Sequence, residues 1–387
     1  MNASFELIEQ IMDGAVIKVI GIGGCGGNAV EHMIDRGLAG VEFICANTDM
    51  QALKRSSAPL QIQLGTTLTR GLGAGARPDI GRNAAMADRD RLAELIRGAD
   101  MLFVTAGMGG GTGTGAAPVV ADIAKSMGIL TVAVVTRPFS FEGRRQKVAQ
   151  EGIEELSHKV DSLIIVPNDK LIQVLGEDVS VLDAFAAAND VLYGAVSGIA
   201  EVISSPGMVN VDFADVRTVM SEVGMAMMGS ASASGVDRAR EAAEAAVKSP
   251  LLEDVNLIGA RGVLVNVTAN NGLKLSEYHT VMATVKEFTA PDAIVIAGTA
   301  IDENIGDTLR VTIVATGLGE AVRQRTPKLE VVETVLERTG TDGGPITENS
   351  IDYDQPTVAR RRVSANTSSG SQGMDMDIPA FLRKQAD

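Results

Sequence analysis

Tryptophan is absent from the 387-residue sequence, and tyrosine and phenylalanine number only 3 and 9. Any ring that must stack on a ligand therefore comes from a short supply. Cysteine occurs twice, as Cys25 and Cys45. That excludes a disulfide scaffold and a Cys-based zinc site, and it fits a reducing compartment. Basic residues are outnumbered 34 to 49, giving a formal net charge of −15. A chain so acidic is disfavoured as an unassisted nucleic-acid binder, because phosphate neutralisation needs a basic face. Its self-repulsion predicts that any assembly depends on salt or divalent cations. The one long uncharged stretch, residues 101–121, holds six Gly, three Thr and one Pro, which describes a loop-containing segment and not a membrane span. The first residues, MNASFELIEQ, are acidic where a signal peptide would be basic and then apolar. The expectation is a soluble cytoplasmic protein with no direct membrane insertion.

What the chain has in excess is glycine, 42 residues where average usage gives about 27. From residue 15 onward, short β-branched runs (AVIKVIGIG, VEFICANTD, ADMLFVTAGM, ILTVAVVTRPF, VDSLIIVPND) alternate with helix-length segments. Near-continuous apolar runs of this kind predict an α/β, doubly wound parallel sheet over residues 14–180, behind an N-terminal extension, 1–13. Its ligands should sit beyond the C-terminal strand ends. Residues 181–206 read as a long central helix, with Leu182, Phe185, Asn189, Leu192, Val196, Ile199 and Ile203 on one face and Pro206-Gly207 ending it. Asn189 is the polar exception on that stripe and needs a partner. A smaller α+β domain is expected over 207–319: a helical stretch DFADVRTVMSEVGMAMMG, its methionines read as core, then three strand-like runs. Residues 320–373 form a linker, since only seven of 34 residues in 340–373 are apolar. At 374–387, Ile378, Pro379, Phe381 and Leu382 cluster as a docking peptide ends.

Three glycine-rich turns absorb most of the excess. GIGGCGGNAV (21–30) follows the first strand and opens a helix, as a dinucleotide-binding turn does, and Asp49 at the end of the next strand could suit a ribose. GMGGGTGTGAAP (107–118) repeats the strand–glycine–helix arrangement, with Thr112 and Thr114 adding hydroxyls. GLGAGARPDIG (71–81) lies between them in sequence. A dehydrogenase with one cofactor has no need of a second phosphate cradle, and three such turns read as one polyphosphate gripped from several sides. No GxxxxGK[ST] occurs, which excludes a Walker-type P-loop. Carboxylates for chemistry appear in NVDFAD, where Asp212 and Asp215 share one face at a helix start. From spacing alone, Asp212 reads as a helix cap rather than a catalytic group. The three histidines, His32, His158 and His279, stand in unrelated contexts.

GGCGGNAVEHM, ANTD (46–49), GGGTGTG (109–115), FEG (141–143), VPNDKL (166–171), AFAAANDVL (184–192), NVDFADVRTVM (210–220) and DIPAFLRK (377–384) together resemble the tubulin/FtsZ superfamily, and within it the bacterial FtsZ family, over essentially the whole length. The resemblance implies a GTP-binding, GTP-hydrolysing protein that polymerises head-to-tail into filaments of the mid-cell division ring. It implies that Gly23, Gly24, Gly26 and Gly27 form the first phosphate loop, with Asn28 on the guanine or ribose side. Gly109, Gly110, Gly111, Thr112, Gly113, Thr114 and Gly115 would surround the β- and γ-phosphates. Glu142 would contact the ribose and Asn168 the region of the base. Phe185 would stack on guanine, while Asn189 and Asp190 read its edge. Asn210, Asp212 and Asp215 would orient the attacking water in the pocket of the next subunit. Mg²⁺ would be held mainly through phosphates and water, so no protein metal site is expected. The tail, 377–384, would bind tethers such as FtsA and ZipA. Two departures stand out. Cys25 occupies a position commonly Gly, which predicts a side chain turned away from the phosphate and a candidate reactive thiol. The run after FEG is Arg144-Arg145-Gln146, which makes Arg145 the candidate γ-phosphate contact. The competing readings are an NAD-dependent Rossmann-type oxidoreductase and a nucleotide-binding scaffold that does not hydrolyse.

Overall fold

In the computed structural model, residues 14–176, 179–204, 211–222, 224–252 and 259–318 are described. The N-terminal extension, Asn210, the linker and the docking peptide lie outside them. The described residues all belong to one compact unit, residues 1–324.

The chain runs β1 (Ile17–Ile22), α1 (Gly23–Asp35), β2 (Glu42–Asn47), α2 (Met50–Arg55), β3 (Leu60–Gln63), α3 (Thr66–Thr69), α4 (Pro78–Ala87), α5 (Arg89–Ile96), β4 (Met101–Gly107) and α6 (Thr112–Ser126). It continues through β5 (Leu130–Arg137), α7 (Arg144–Ser157), β6 (Ser162–Pro167), α8 (Asn168–Leu175), α9 (Val181–Ser204) and α10 (Phe213–Met220). The last elements are β7 (Met225–Ser234), α11 (Arg238–Val247), β8 (Gly262–Ala269), α12 (Leu275–Phe288), β9 (Ile294–Ile301) and β10 (Thr308–Leu318).

Ten strands form one sheet in the order β3-β2-β1-β4-β5-β6-β7-β10-β8-β9. The first six are all parallel, as their uninterrupted apolar runs require when both faces are covered. The pleat of β1 sends Ile17 and Val19 into a core shared with α1 and α9, and Ile20 and Ile22 into the core under α4, α5 and α6. β7 extends the sheet by only two parallel pairs with β6, Leu163 to Met225 and Ile164 to Ala226. Beyond it, β10 lies antiparallel to both β7 and β8, and β9 is parallel to β8.

Two expectations need correction. The helical reading of 212–229 ends early, because α10 stops at Met220 and MAMMGSASAS is strand β7. Alternation explains it: Ala226 and Met228 are buried while Met225 faces out, and at Gly229 the carbonyl of Ala246 on α11 occupies the space of a Cβ. The apolar stripe of the central helix is likewise only half a core stripe. Leu192, Val196 and Ile199 are fully buried, whereas Leu182 is 82% and Phe185 44% exposed. The first turns of α9 therefore face something other than this chain's core.

Candidate functional site

The strand order reverses between β1 and β4, so the chain leaves those neighbours in opposite directions and opens a crevice at their C-terminal ends. α1 starts directly from β1, at Gly23, and α6 starts at Thr112, after a four-residue loop (108–111) that follows the end of β4 at Gly107. Neither helix has a side-chain cap or an acidic residue in its first turn. Two sets of uncapped N–H groups, each at the positive end of a helix, thus meet at one place, which is an anion site by construction.

A cavity of about 260 Å³ occupies this place. Gly24, Gly110, Gly111, Thr112 and Gly113 of the glycine turns are among its lining residues, together with Glu142, Arg145, Asn168, Phe185 and Asn189. These ten of the sequence-derived residues converge although they come from five separate segments. A side chain added at Gly24 or Gly110 would meet nothing within 4 Å, so both leave open space on the cavity. Asn168 begins α8, is 4% exposed, and its Oδ1 has no hydrogen-bond partner among the described residues. A buried acceptor of that kind is costly unless a ligand supplies the donor.

Other residues of the glycine turns shape the cradle from behind. A Cβ at Gly26 would strike the Thr105 carbonyl of β4, and one at Gly115 the Pro78 carbonyl of α4. Gly23 and Gly109 have φ of +74° and +97°, a region that other residues rarely adopt. Thr114 is buried, and its Oγ1 accepts the Gly109 N–H at 2.9 Å. Thr112 Oγ1 lies 2.7 Å from Thr48 Oγ1, which ties the start of α6 to the end of β2. Gly27 and Asn28 line a smaller adjoining cavity of about 130 Å³, with Gly24, Glu31 and Asn47. The 71–81 turn does not line the main cavity; Ala74 and Arg77 pack behind Gly111.

Charge at the rim is paired. Glu142 accepts the Phe139 N–H through Oε1 and holds Arg145 Nη1 at 2.8 Å through Oε2. Asp190 lies outside the main cavity, where its Oδ1 meets His32 Nε2 at 2.8 Å and Arg36 Nη2 at 2.7 Å, joining α9 to α1. Asp49 caps α2, with Oδ1 accepting from Gln51 and Ala52 N–H, so it is already engaged where a ribose was considered. Cys25 does not turn away: it lines the cavity, with Sγ 3.6 Å from Thr136 Oγ1. Desolvation, with a smaller contribution from the Glu142 charge, pushes its thiol pKa up.

Sequence reasoning missed Thr136 and Pro138 in the wall, although the end of β5 is where the strand-end rule points. It also missed the aromatic support at the rim. Phe139 stacks on Phe141 with centroids 5.0 Å apart and meets Phe185 edge-on at 5.6 Å.

Asp212 and Asp215 are exposed and do not line this cavity. Asp212 stands at the N-cap position of α10, yet its side chain makes no capping hydrogen bond. The capping role that spacing favours is therefore not the one the carboxylate plays here.

Residues 16–176 match the Tubulin/FtsZ family, GTPase domain, and residues 224–319 match the FtsZ family, C-terminal domain. The cell division protein FtsZ of Azotobacter vinelandii is 56% identical over 396 residues, covering 99% of this chain and 100% of its own. This chain belongs to the FtsZ family. FtsZ of Pseudomonas aeruginosa is also 56% identical, over 395 residues and the same shares of both chains. Among solved structures, an empty FtsZ dimer from M. jannaschii superposes with a TM-score of 0.76 at 44% identity, covering 79% of this chain and 89% of that one. The cavity therefore belongs to a GTPase domain of the FtsZ family. The chain is a GTP-binding, GTP-hydrolysing cell division protein that polymerises, and the oxidoreductase and inert-scaffold readings fall away.

Proposed function

We propose that GTP lies with its phosphates over Gly23, Gly24, Gly26 and Gly27 and over the 109–115 loop, and that the phosphate contacts are backbone N–H groups. The observation that carries this reading is the meeting of two uncapped helix N-termini at one cavity. Arg145 would leave Glu142 to meet the terminal phosphate, freeing the Glu142 carboxylate for the ribose hydroxyls. Phe185 offers its exposed ring to the base, and Asn168 and Asn189 supply polar edge contacts; Asp190 would join them on leaving His32 and Arg36, and Asn28 would approach from the adjoining cavity. The orphaned Asn168 Oδ1 supports a donor-bearing ligand at that end. Mg²⁺ would be carried by phosphate oxygens and water, neutralising charge on the transferred group.

Hydrolysis needs a group that orients and polarises water. Asn210, Asp212 and Asp215 are proposed to do so in the cavity of the next subunit. α9 begins beside the cavity and ends at Ser204, which packs beside Gly40 at the entry to β2, the opposite end of the sheet. Arg217 of α10 reaches the Gly128 carbonyl, just before β5, at that same far end. The acids are thus a helix-length away from their own chain's phosphate loops, and a head-to-tail neighbour brings them close. The filament is proposed to act at the mid-cell ring on the cytoplasmic side, tethered through 377–384 by FtsA- and ZipA-like partners.

Phosphate release from GTP, measured as protein concentration rises, tests the shared site. The expected result is a threshold followed by increasing rate per molecule; a rate strictly proportional to protein refutes it. Asp212→Ala should abolish turnover and still bind GTP, and loss of nucleotide binding in that variant overturns the trans assignment.

A further inference from the structure

Cys25 is one of two cysteines and differs sharply from the other. Cys45 is 2% exposed and sits in the core, whereas Cys25 is exposed on the cavity between the β1 and β4 loops. Its side chain lies beside Gly107 and Thr136. A side chain at Gly107 would collide with Cys25 Cβ, and the Thr136 hydroxyl lies against its sulfur. An independent feature of the same cavity points to a ligand: the buried, unpartnered Asn168 Oδ1.

We propose that Cys25 is a thiol-modification site that competes with nucleotide, so that a mixed disulfide at Cys25 and a guanine nucleotide exclude one another from the cavity. The inference rests on the reading of this cavity as the nucleotide site. The reacting partner is a low-molecular-weight disulfide of the glutathione type. The Cys25 proton passes to solvent and the thiolate attacks one sulfur of the disulfide. A new sulfur–sulfur bond forms as the old one breaks, and one thiolate leaves. The disulfide is the only oxidant, and a free thiol reverses the step. With about 260 Å³ available, a tripeptide attached at Sγ fills the space the nucleotide needs. Burial pushes the Cys25 thiol pKa up, which lowers the thiolate fraction and slows exchange.

The test uses the full-length protein treated with glutathione disulfide, with and without saturating GDP. Adducts are read by intact mass and peptide mapping, and binding by a fluorescent GDP analogue. The expected result is one adduct per chain at Cys25, formed about tenfold more slowly when GDP is bound. The modified fraction loses GDP binding and regains it after dithiothreitol. Cys25→Ala should acquire no adduct there, and its GDP binding should be the same before and after treatment. Absence of an adduct, modification at Cys45, failure of GDP to slow the reaction, or unchanged binding by the adduct each overturns the proposal. Failure of untreated protein to bind GDP would instead overturn the nucleotide reading beneath it.

Discussion

At the scale of single residues, glycines of similar appearance in sequence have different jobs. Gly110 opens on empty cavity, while Gly115 is pressed against the Pro78 carbonyl of α4. Gly110→Ala should therefore fold with an unchanged melting temperature and lose GDP affinity by about tenfold, or ~1.4 kcal/mol, as the new methyl enters the phosphate space. Gly115→Ala should lower the melting temperature before any binding defect is measured, since backbone must move to admit the methyl. The sequence showed that these glycines mattered, because GGGTGTG cannot build a helix or strand core. It could not show which of them face the cavity, since that depends on α4 and β4 approaching from distant parts of the chain. Asp190 is a similar case. Its motif was visible, but its hydrogen bonds with His32 and Arg36 join residues more than 150 positions apart.

At the scale of elements, α9 is two helices in function. Ile199→Ala should cost about 2–5 kcal/mol because the residue is wholly buried, while Leu182→Ala should change stability by less than about 0.5 kcal/mol; urea unfolding midpoints distinguish them. Periodicity identified the helix and its length but treated every apolar position as core. A ligand-facing stripe and a core stripe have the same 3.6-residue period. Five of the six parallel strands, β1, β2, β4, β5 and β6, were legible as dense β-branched runs; the short β3 was not. β7 was not, because Met, Ala and Ser suit helices as readily as strands. A second element contact carries a pH dependence. Arg238 of α11, 4% exposed, holds both Glu277 oxygens of α12 at 2.7 and 3.1 Å and also the Asp307 carboxylate. The bond to Arg238 lowers the Glu277 pKa in the folded protein. Its stabilisation is complete above the unfolded value, about 4.3, and is lost as pH falls through the lower folded value. Thermal melts of Arg238→Ala should show lower stability at neutral pH and a shallower decline on acidification than the parent protein.

At the scale of the whole molecule, net charge opposes assembly. A charge of −15 means that subunits repel until counterions screen them, over about 10 Å at 0.1 M salt. At fixed GTP, moderate salt or added divalent cation should lower the threshold concentration for phosphate release, and a threshold that rises instead would point to an interface held by opposite charges. Removing 374–387 should leave GTPase activity intact while abolishing recruitment to membrane tethers; lost turnover would make the tail part of the enzyme. The single ten-stranded sheet was beyond sequence reasoning, which saw two sets of strands. Their union rests on two residue pairs between β6 and β7, too local a contact to announce itself in the pattern of either run.

On the proposed trans site, the position of the acids beyond the far end of α9 would give the polymer a ruler. With 24 residues rising about 1.5 Å each, the helix is about 36 Å long. A filament in which each chain's acids enter its neighbour's cavity cannot have an axial repeat much shorter than that. On that proposal the spacing between successive catalytic centres would be bounded inside the monomer by the length of one helix, and lengthening α9 by a turn should be read out as a longer filament period.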